Sequence, residues 1–324
     1  MTQPPSGLTR SNLSAPGITR AEAGHGFGYT RPNGQPVIDT ATLVRISALA
    51  IPPAWRDVWI APEPNWHIQA IGTDRGGIIQ YRYHAAWRRE EDALKFARAL
   101  ELAAALPDAR THVSSDLDDH EPSRQRAQAA AFRMLDTASL RVGSERYADE
   151  HGSYGLTTLR TQHATVRADT VHLAFTAKSH HAWESTIPDA SLARVIRSYK
   201  RRGSDQPLLA HRQHEIWHPL HAADVNAYLQ DRLNGHFSAK DFRTLHGTIA
   251  AAQWLATAGP AGSPAHAVSA SMRAAAEVLE NTPAVARASY VDPRVIERFE
   301  SGITLDTNPA VPLEHRLRAL LLSR

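Results

Sequence analysis

The chain contains no cysteine, which excludes disulfides, thiolate metal sites and a cysteine nucleophile. It also lacks any apolar run near the roughly 20 residues needed to cross a bilayer, and its first residues have no signal-peptide core. A cytoplasmic protein is expected. Aromatic residues are scarce at 7%, and the formal net charge is only +3 with neutral histidines. Any nucleic-acid surface must therefore come from local clustering of charge, not from bulk basicity. What is present is ordinary for a globular chain, at 42% hydrophobic and 21% charged. A length of 324 residues exceeds the usual single core and suggests two domains.

Residues 1–23 are rich in Pro, Ser, Thr and Gly without apolar periodicity and read as a mobile arm. Residues 24–87 read as a small β-rich module. It holds a strand over Gly24–Tyr29, a turn at Asn33-Gly34 and a short helix capped by Asp39 or Thr40. Strands follow over Val58–Ala61, His67–Thr73 and Ile78–Tyr83. From residue 88 the pattern is mainly helical. One helix is expected over Ala86–Leu106, ended by Pro107, then an acidic loop over Ser114–Glu121 and a helix over Ser123–Leu140. A small β interlude, including Gly155–Thr158, precedes further helices from Ser191 to the C-terminus. The expected class is α+β, a β-rich N-terminal domain beside a larger helical domain with a small antiparallel sheet.

Four residues stand in telling contexts. Arg141 follows a helical run, Lys178 sits at a turn between two strand-like stretches, Arg243 lies in Ser238-Ala239-Lys240-Asp241-Phe242-Arg243, and Tyr290 follows Asn281-Thr282-Pro283. Two guanidiniums, an ammonium and a phenol suffice to break a phosphodiester without a metal. The phenol attacks phosphorus, the arginines hold the non-bridging oxygens, and the ammonium protonates the leaving oxygen.

The order and context of these residues resemble the type IB DNA topoisomerases of the short, poxvirus-like bacterial class. The likeness extends over Pro16–Arg20, Ala50–Trp55, Gln80–His84, Tyr154–Arg160 and Asp224–Leu229, and continues past Tyr290. It implies a C-shaped clamp around double-stranded DNA, acting as a monomer at the nucleoid. No cofactor, metal or obligatory protein partner is implied. Tyr290 would be the nucleophile, forming a 3′-phosphotyrosyl bond, with Lys178 as general acid. Arg141 and Arg243 would grip the scissile phosphate, and Lys240, one helical turn before Arg243, would face the same groove. Asn281 stands where many relatives carry histidine and can donate without titrating. Gln80, Tyr81 and Tyr83 match DNA-contacting positions, the two tyrosines sharing one strand face.

Three departures remove charge or flexibility. Ile78-Ile79 replace an Arg-Lys pair, Ala177-Lys178-Ser179-His180 replaces Gly-Lys-Ser-Gly, and Ala21-Glu22-Ala23 replaces a basic run. Other chemistries are also spelled in the chain. His214-Glu215-Ile216-Trp217-His218 is an H-E-x-x-H motif, which binds catalytic zinc only when both histidines share one helix face; Pro219 and the strand-turn context disfavour that. Asp116, Asp118, Asp119 and Glu121 could suggest a cation site, but an acidic loop ahead of a helix start explains them better. A tyrosine recombinase uses a similar set but places histidine where Lys240 stands. A clamp that binds DNA without cutting it would have no need of the titrating groups.

Overall fold

The computed structural model describes residues 7–24, 26–258 and 263–323. They form two compact units, residues 1–94 and 95–324.

The first unit is a five-stranded antiparallel sheet in the order β2-β1-β3-β4-β5. Its strands are β1 (Ile18–Ala23), β2 (Gly26–Thr30), β3 (Arg56–Ile60), β4 (Ile68–Thr73) and β5 (Ile79–Tyr83), and helix α1 (Thr40–Ala48) follows β2. Asp39 caps α1 by accepting from Thr42 N at 2.9 Å. Ile18, Val37, Ile46, Val58, Ile60 and Ala70 form the core.

The expected mobile arm is corrected here. Residues 1–6 lie outside the described set, as does His25 within the expected strand Gly24–Tyr29. Residues 18–23 are strand β1, with Ile18 buried and Thr19 paired to Trp59. Upstream of it, Ser11 Oγ donates to Ile68 O at 3.1 Å, and Trp59 Nε1 donates to Ala15 O. These bonds tie the segment to the sheet.

Three of the segments that carry the resemblance meet on one loop. Arg20 donates to the carbonyls of Pro52 (3.2 Å) and Trp55 (2.6 Å), its guanidinium 4.1 Å from the Phe27 ring centroid. Arg82 donates to Ala50 O at 3.0 Å and lies over Trp55. Pro52 and Pro53 have no N–H to donate, and Arg20 and Arg82 donate to carbonyls within and on either side of this turn, those of Pro52, Trp55 and Ala50.

Helix α2 (Ala85–Leu117) carries Pro107 inside it, so the expected stop at Pro107 is overturned. Leu102, Leu106, Ala109, Val113 and Leu117 are all buried, and this 3.6-residue stripe runs straight through the proline. Proline costs a helix about 3 kcal/mol, whereas burying one leucine or valine side chain contributes about 1.5–3 kcal/mol. The residues beyond Pro107 therefore outweigh the break. The first half of the expected acidic loop, Ser114–Leu117, is the end of this helix, and Asp118–Glu121 form the loop.

The second unit continues with α3 (Arg124–Ala138), α4 (Glu145–His151), a three-stranded antiparallel sheet of β6 (Ala164–Arg167), β7 (Thr170–Thr176) and β8 (Ala182–Pro188), and α5 (Ala190–Lys200). A hairpin of β9 (Ala210–Gln213) and β10 (Ile216–Pro219) leads to α6 (Ala222–Leu233), α7 (Ala239–Ala258), α8 (Pro264–Leu279), α9 (Pro283–Ser289), α10 (Pro293–Glu300) and α11 (Leu313–Leu322). The expected strand at Gly155–Thr158 is instead a short 3-10 turn over Leu156–Thr158. One continuous core includes Phe132, Leu140, Leu156, Tyr199, Leu229 and Phe242. Among the described residues, no helix is long and apolar enough to cross a membrane.

Candidate active site

Each site residue is set by a local device. Ser123 caps α3 by accepting from Arg126 N at 3.1 Å, and α3 ends at Ser139 in the left-handed conformation (φ 52°). That turn throws Arg141 into a loop held from the other side, where Leu156 N donates to Arg141 O and Thr157 N to Val142 O, both at 2.9 Å. A Cβ on Gly155 would lie 2.6 Å from Gly143 Cα, so only glycine lets the two loops close. Tyr154–Arg160, one of the segments that carry the resemblance, is thus the brace of the Arg141 loop.

Helix α7 starts where Asp241 accepts from Ser238 N at 2.9 Å, half of a capping box, and this fixes Lys240 and Arg243 one turn apart. Helix α8 ends at Glu280, also left-handed (φ 48°). Asn281 N then bonds Ala276 O at 2.9 Å, a Schellman closure with glutamate where glycine is usual. Each left-handed non-glycine residue costs roughly 1–2 kcal/mol, and two of them frame one site. Thr282 caps α9 through Val285 N, with Pro283 at its first position. Tyr290 closes this seven-residue helix.

Arg243 is only 2% exposed. Its terminal nitrogens donate to Ser139 O and, at 2.8 Å, to Leu279 O, the carbonyls at the ends of α3 and α8. Its Nε is buried with no hydrogen-bond partner among the described residues, and its Cζ lies 5.1 Å from the Tyr290 ring centroid. Arg141 donates to Asn281 Oδ1 at 2.7 Å, while Asn281 Nδ2 is buried and unpartnered. Thr248 Oγ1 shares its one hydrogen between Thr244 O at 2.8 Å and Tyr290 O at 3.0 Å and accepts from Asp292 N at 3.2 Å, tying the backbone beside the phenol to α7.

Burial would by itself raise the Tyr290 phenol, but the charges of Arg243, Arg141 and Lys240 outweigh it and hold the pKa below the usual tyrosine value. Burial lowers the pKa of both Arg141 and Arg243, and Arg141 adds repulsion on Arg243. Two partly desolvated guanidiniums beside a phenol, with unpartnered donors on Arg243 and Asn281, form a site that an anion would complete.

Arg141, Arg243, Asn281 and Tyr290 are thus brought together, and Lys240, though exposed, contributes to the field on the phenol. Lys178 is exposed on the turn between β7 and β8 and lines a cavity with Arg141, Ser144, Tyr147, Ser153 and Tyr154. The other expected trio lies in the first unit. Tyr81 and Tyr83 are exposed, with ring centroids 6.0 Å apart. Gln80 alternates to the opposite face of β5, where it donates to Asp74 at 2.8 Å. Sequence reasoning missed Ser139, Thr248 and the carbonyl of Leu279; the helical spacing of 240, 243 and 247 could have drawn attention to that face of α7.

A sequence model of the eukaryotic DNA topoisomerase I catalytic core matches residues 84–305, and one of the bacterial DNA topoisomerase IB N-terminal domain matches residues 26–74. The chain belongs to the type IB DNA topoisomerases. These enzymes are isomerases. The DNA topoisomerase 1B of Acanthamoeba polyphaga mimivirus is 28% identical over 310 residues, 93% of this chain and 90% of that protein. DNA topoisomerase 1 of Mycosarcoma maydis is 28% identical over 193 residues, 52% of this chain and 19% of its own length. DNA topoisomerase 1 of Schizosaccharomyces pombe is 26% identical over 202 residues, 61% of this chain and 23% of its own length.

The rival motifs resolve structurally. The H-E-x-x-H segment is the β9–β10 hairpin, with His214 and Glu215 at its left-handed turn (φ 47° and 65°) and His211 paired opposite His218. The helical face that a zinc protease requires is absent from this segment. Three of the four acidic residues are committed to the fold: Asp116 accepts from Tyr228 and Arg232, Asp118 from Arg194, and Asp119 from Ser123.

Proposed function

We propose that this enzyme relaxes supercoils of either sign by cutting one strand of duplex DNA with Tyr290. In-line attack of the phenolic oxygen on phosphorus forms a 3′-phosphotyrosyl bond, and the P–O5′ bond breaks. Lys178 gives its proton to the departing 5′-oxygen. Arg141, Arg243 Nε and Asn281 Nδ2 donate to the non-bridging oxygens, and Lys240 adds positive charge. The broken strand turns about the intact one, then the 5′-hydroxyl attacks phosphorus and restores Tyr290. The Tyr81–Tyr83 face contacts the duplex, and Gln80 reaches it only by leaving Asp74. The chain acts as a monomer, with the first unit, β1 included, as a DNA-binding domain and the unit from Lys95 onward as the catalytic domain.

The observation that carries this reading is the Tyr290 ring against the buried guanidinium of Arg243. The bond broken is replaced by one of similar kind, so no ATP is consumed, and the cations around Tyr290 take the charge-stabilising part that a divalent metal could otherwise play. Incubating negatively and positively supercoiled plasmid with the purified protein in excess EDTA, without nucleotide, should relax both. A strict requirement for Mg²⁺ or ATP would sink the mechanism.

Gly247 tests how tightly the nucleophile is seated. A Cβ there would meet Leu279 Cδ1 at 2.8 Å and Tyr290 Cβ at 3.2 Å. The leucine methyl can turn aside, whereas Tyr290 Cβ can move only by shifting the phenol. In Gly247→Ala the gain in helix preference, about 1 kcal/mol, offsets the crowding, so Tm should hold. Single-turnover cleavage should fall about tenfold, because small misplacements of a reacting group carry large rate costs. Wild-type cleavage by this variant would show that the phenol is not so constrained.

A further inference from the structure

His246 lies three residues after Arg243 on α7, and its Nδ1 stands 2.7 Å from Ser139 Oγ. Ser139 is the left-handed cap whose carbonyl accepts from Arg243. One residue therefore presents two oxygens to α7, its carbonyl to the guanidinium and its hydroxyl to the imidazole. We propose that His246 and Ser139 are a pair of positioning residues, which aim the Ser139 carbonyl and through it the guanidinium of Arg243. The inference rests on the reading of Arg243 as a ligand of the scissile phosphate.

The geometry is a closed circuit from α7 through Arg243 to Ser139 O, and from Ser139 Oγ back to α7 through His246. Without the imidazole, Ser139 keeps a backbone conformation that serine adopts rarely, and nothing anchors its side chain to the helix bearing Arg243. The ring is itself braced. Phe242 packs edge-on against it, and the charges acting on it are Asp136, Arg110, Glu314 and Arg243. Arg110 joins the two acids, donating to Asp136 at 2.8 and 2.9 Å and to Glu314 at 2.5 Å. Burial favours the neutral imidazole, which suits a hydrogen-bonding bracket beside a phosphate-binding cation better than a second charge would.

Three variants test the pair. Ser139→Gly suits the left-handed backbone and removes the CH2OH side chain, taking the hydroxyl with it while relieving the strain at the cap. His246→Leu removes the ring nitrogen, and His246→Asn sets an amide near the position of Nδ1. DNA affinity is measured in a Tyr290→Phe background, and cleavage in single-turnover formation of the covalent complex. We expect Ser139→Gly and His246→Leu each to slow cleavage about tenfold or more with affinity unchanged, and His246→Asn to recover most of the rate. The double variant Ser139→Gly/His246→Leu should be no slower than either single variant, since both break one circuit. Wild-type cleavage by Ser139→Gly, multiplicative losses in the double variant, or no recovery in a folded His246→Asn would each overturn the inference. Failure of the wild type to form a covalent complex in the same assay would instead overturn the proposed function, and the pair's role with it.

Discussion

Tyr290→Phe should abolish both plasmid relaxation and the covalent protein–DNA adduct, a loss on the order of a million-fold as for other deleted nucleophiles. Duplex binding should persist. The ring stays packed against Arg243, and the Thr248 bond goes to the Tyr290 carbonyl, which phenylalanine retains. The control is internal to the site, because Tyr147 and Tyr154 line the cavity beside Lys178 and Arg141. If the adduct survives in Tyr290→Phe, one of those phenols is the nucleophile and the assignment fails. The structure favours Tyr290 because Arg243, Arg141 and Lys240 together hold its phenol below the ordinary range against the opposing effect of burial.

Lys178→Ala should slow cleavage by about 10²–10⁴-fold, the usual worth of a positioned general acid. The loss should depend on the leaving group. A substrate with sulfur in place of the bridging 5′-oxygen expels a thiolate, which is far more stable than an alkoxide and needs no proton. Lys178→Ala should therefore cleave that substrate nearly as fast as the wild type does. An equal defect on both substrates would make Lys178 a phosphate contact, leaving the donor of the proton to be sought elsewhere along the cavity.

The proposed catalytic residues stand out in the sequence because each is announced by its own helix or turn signal. Ser238 and Asp241 mark the start of α7, Thr282-Pro283 marks that of α9, and the alternation on either side of Lys178 marks a hairpin. What could not be read was support arriving from a distance. Strand β1 reads as an arm in the sequence because its one buried residue, Ile18, pairs with Ile60 far along the chain, and no alternating apolar pattern surrounds it locally. Pro107 misled for the same reason, since the apolar stripe that carries α2 through it gains its energy from other elements. The partners of Arg243 are backbone carbonyls at two helix ends, and no side-chain pattern advertises a carbonyl. Arg20 and Arg82 are a related case, because both bind carbonyls within their own domain.

The Thr248 lock bears on reversibility. It grips Tyr290 by the peptide carbonyl, and the phenolic oxygen lies among cations instead of the loop's own scaffold. Converting that oxygen to a phosphodiester breaks none of the bonds that hold residues 286–292 in place. Under the proposed mechanism the severed and intact states of the DNA would then share one conformation of residues 286–292, and the balance between them would be left to the torque in the duplex.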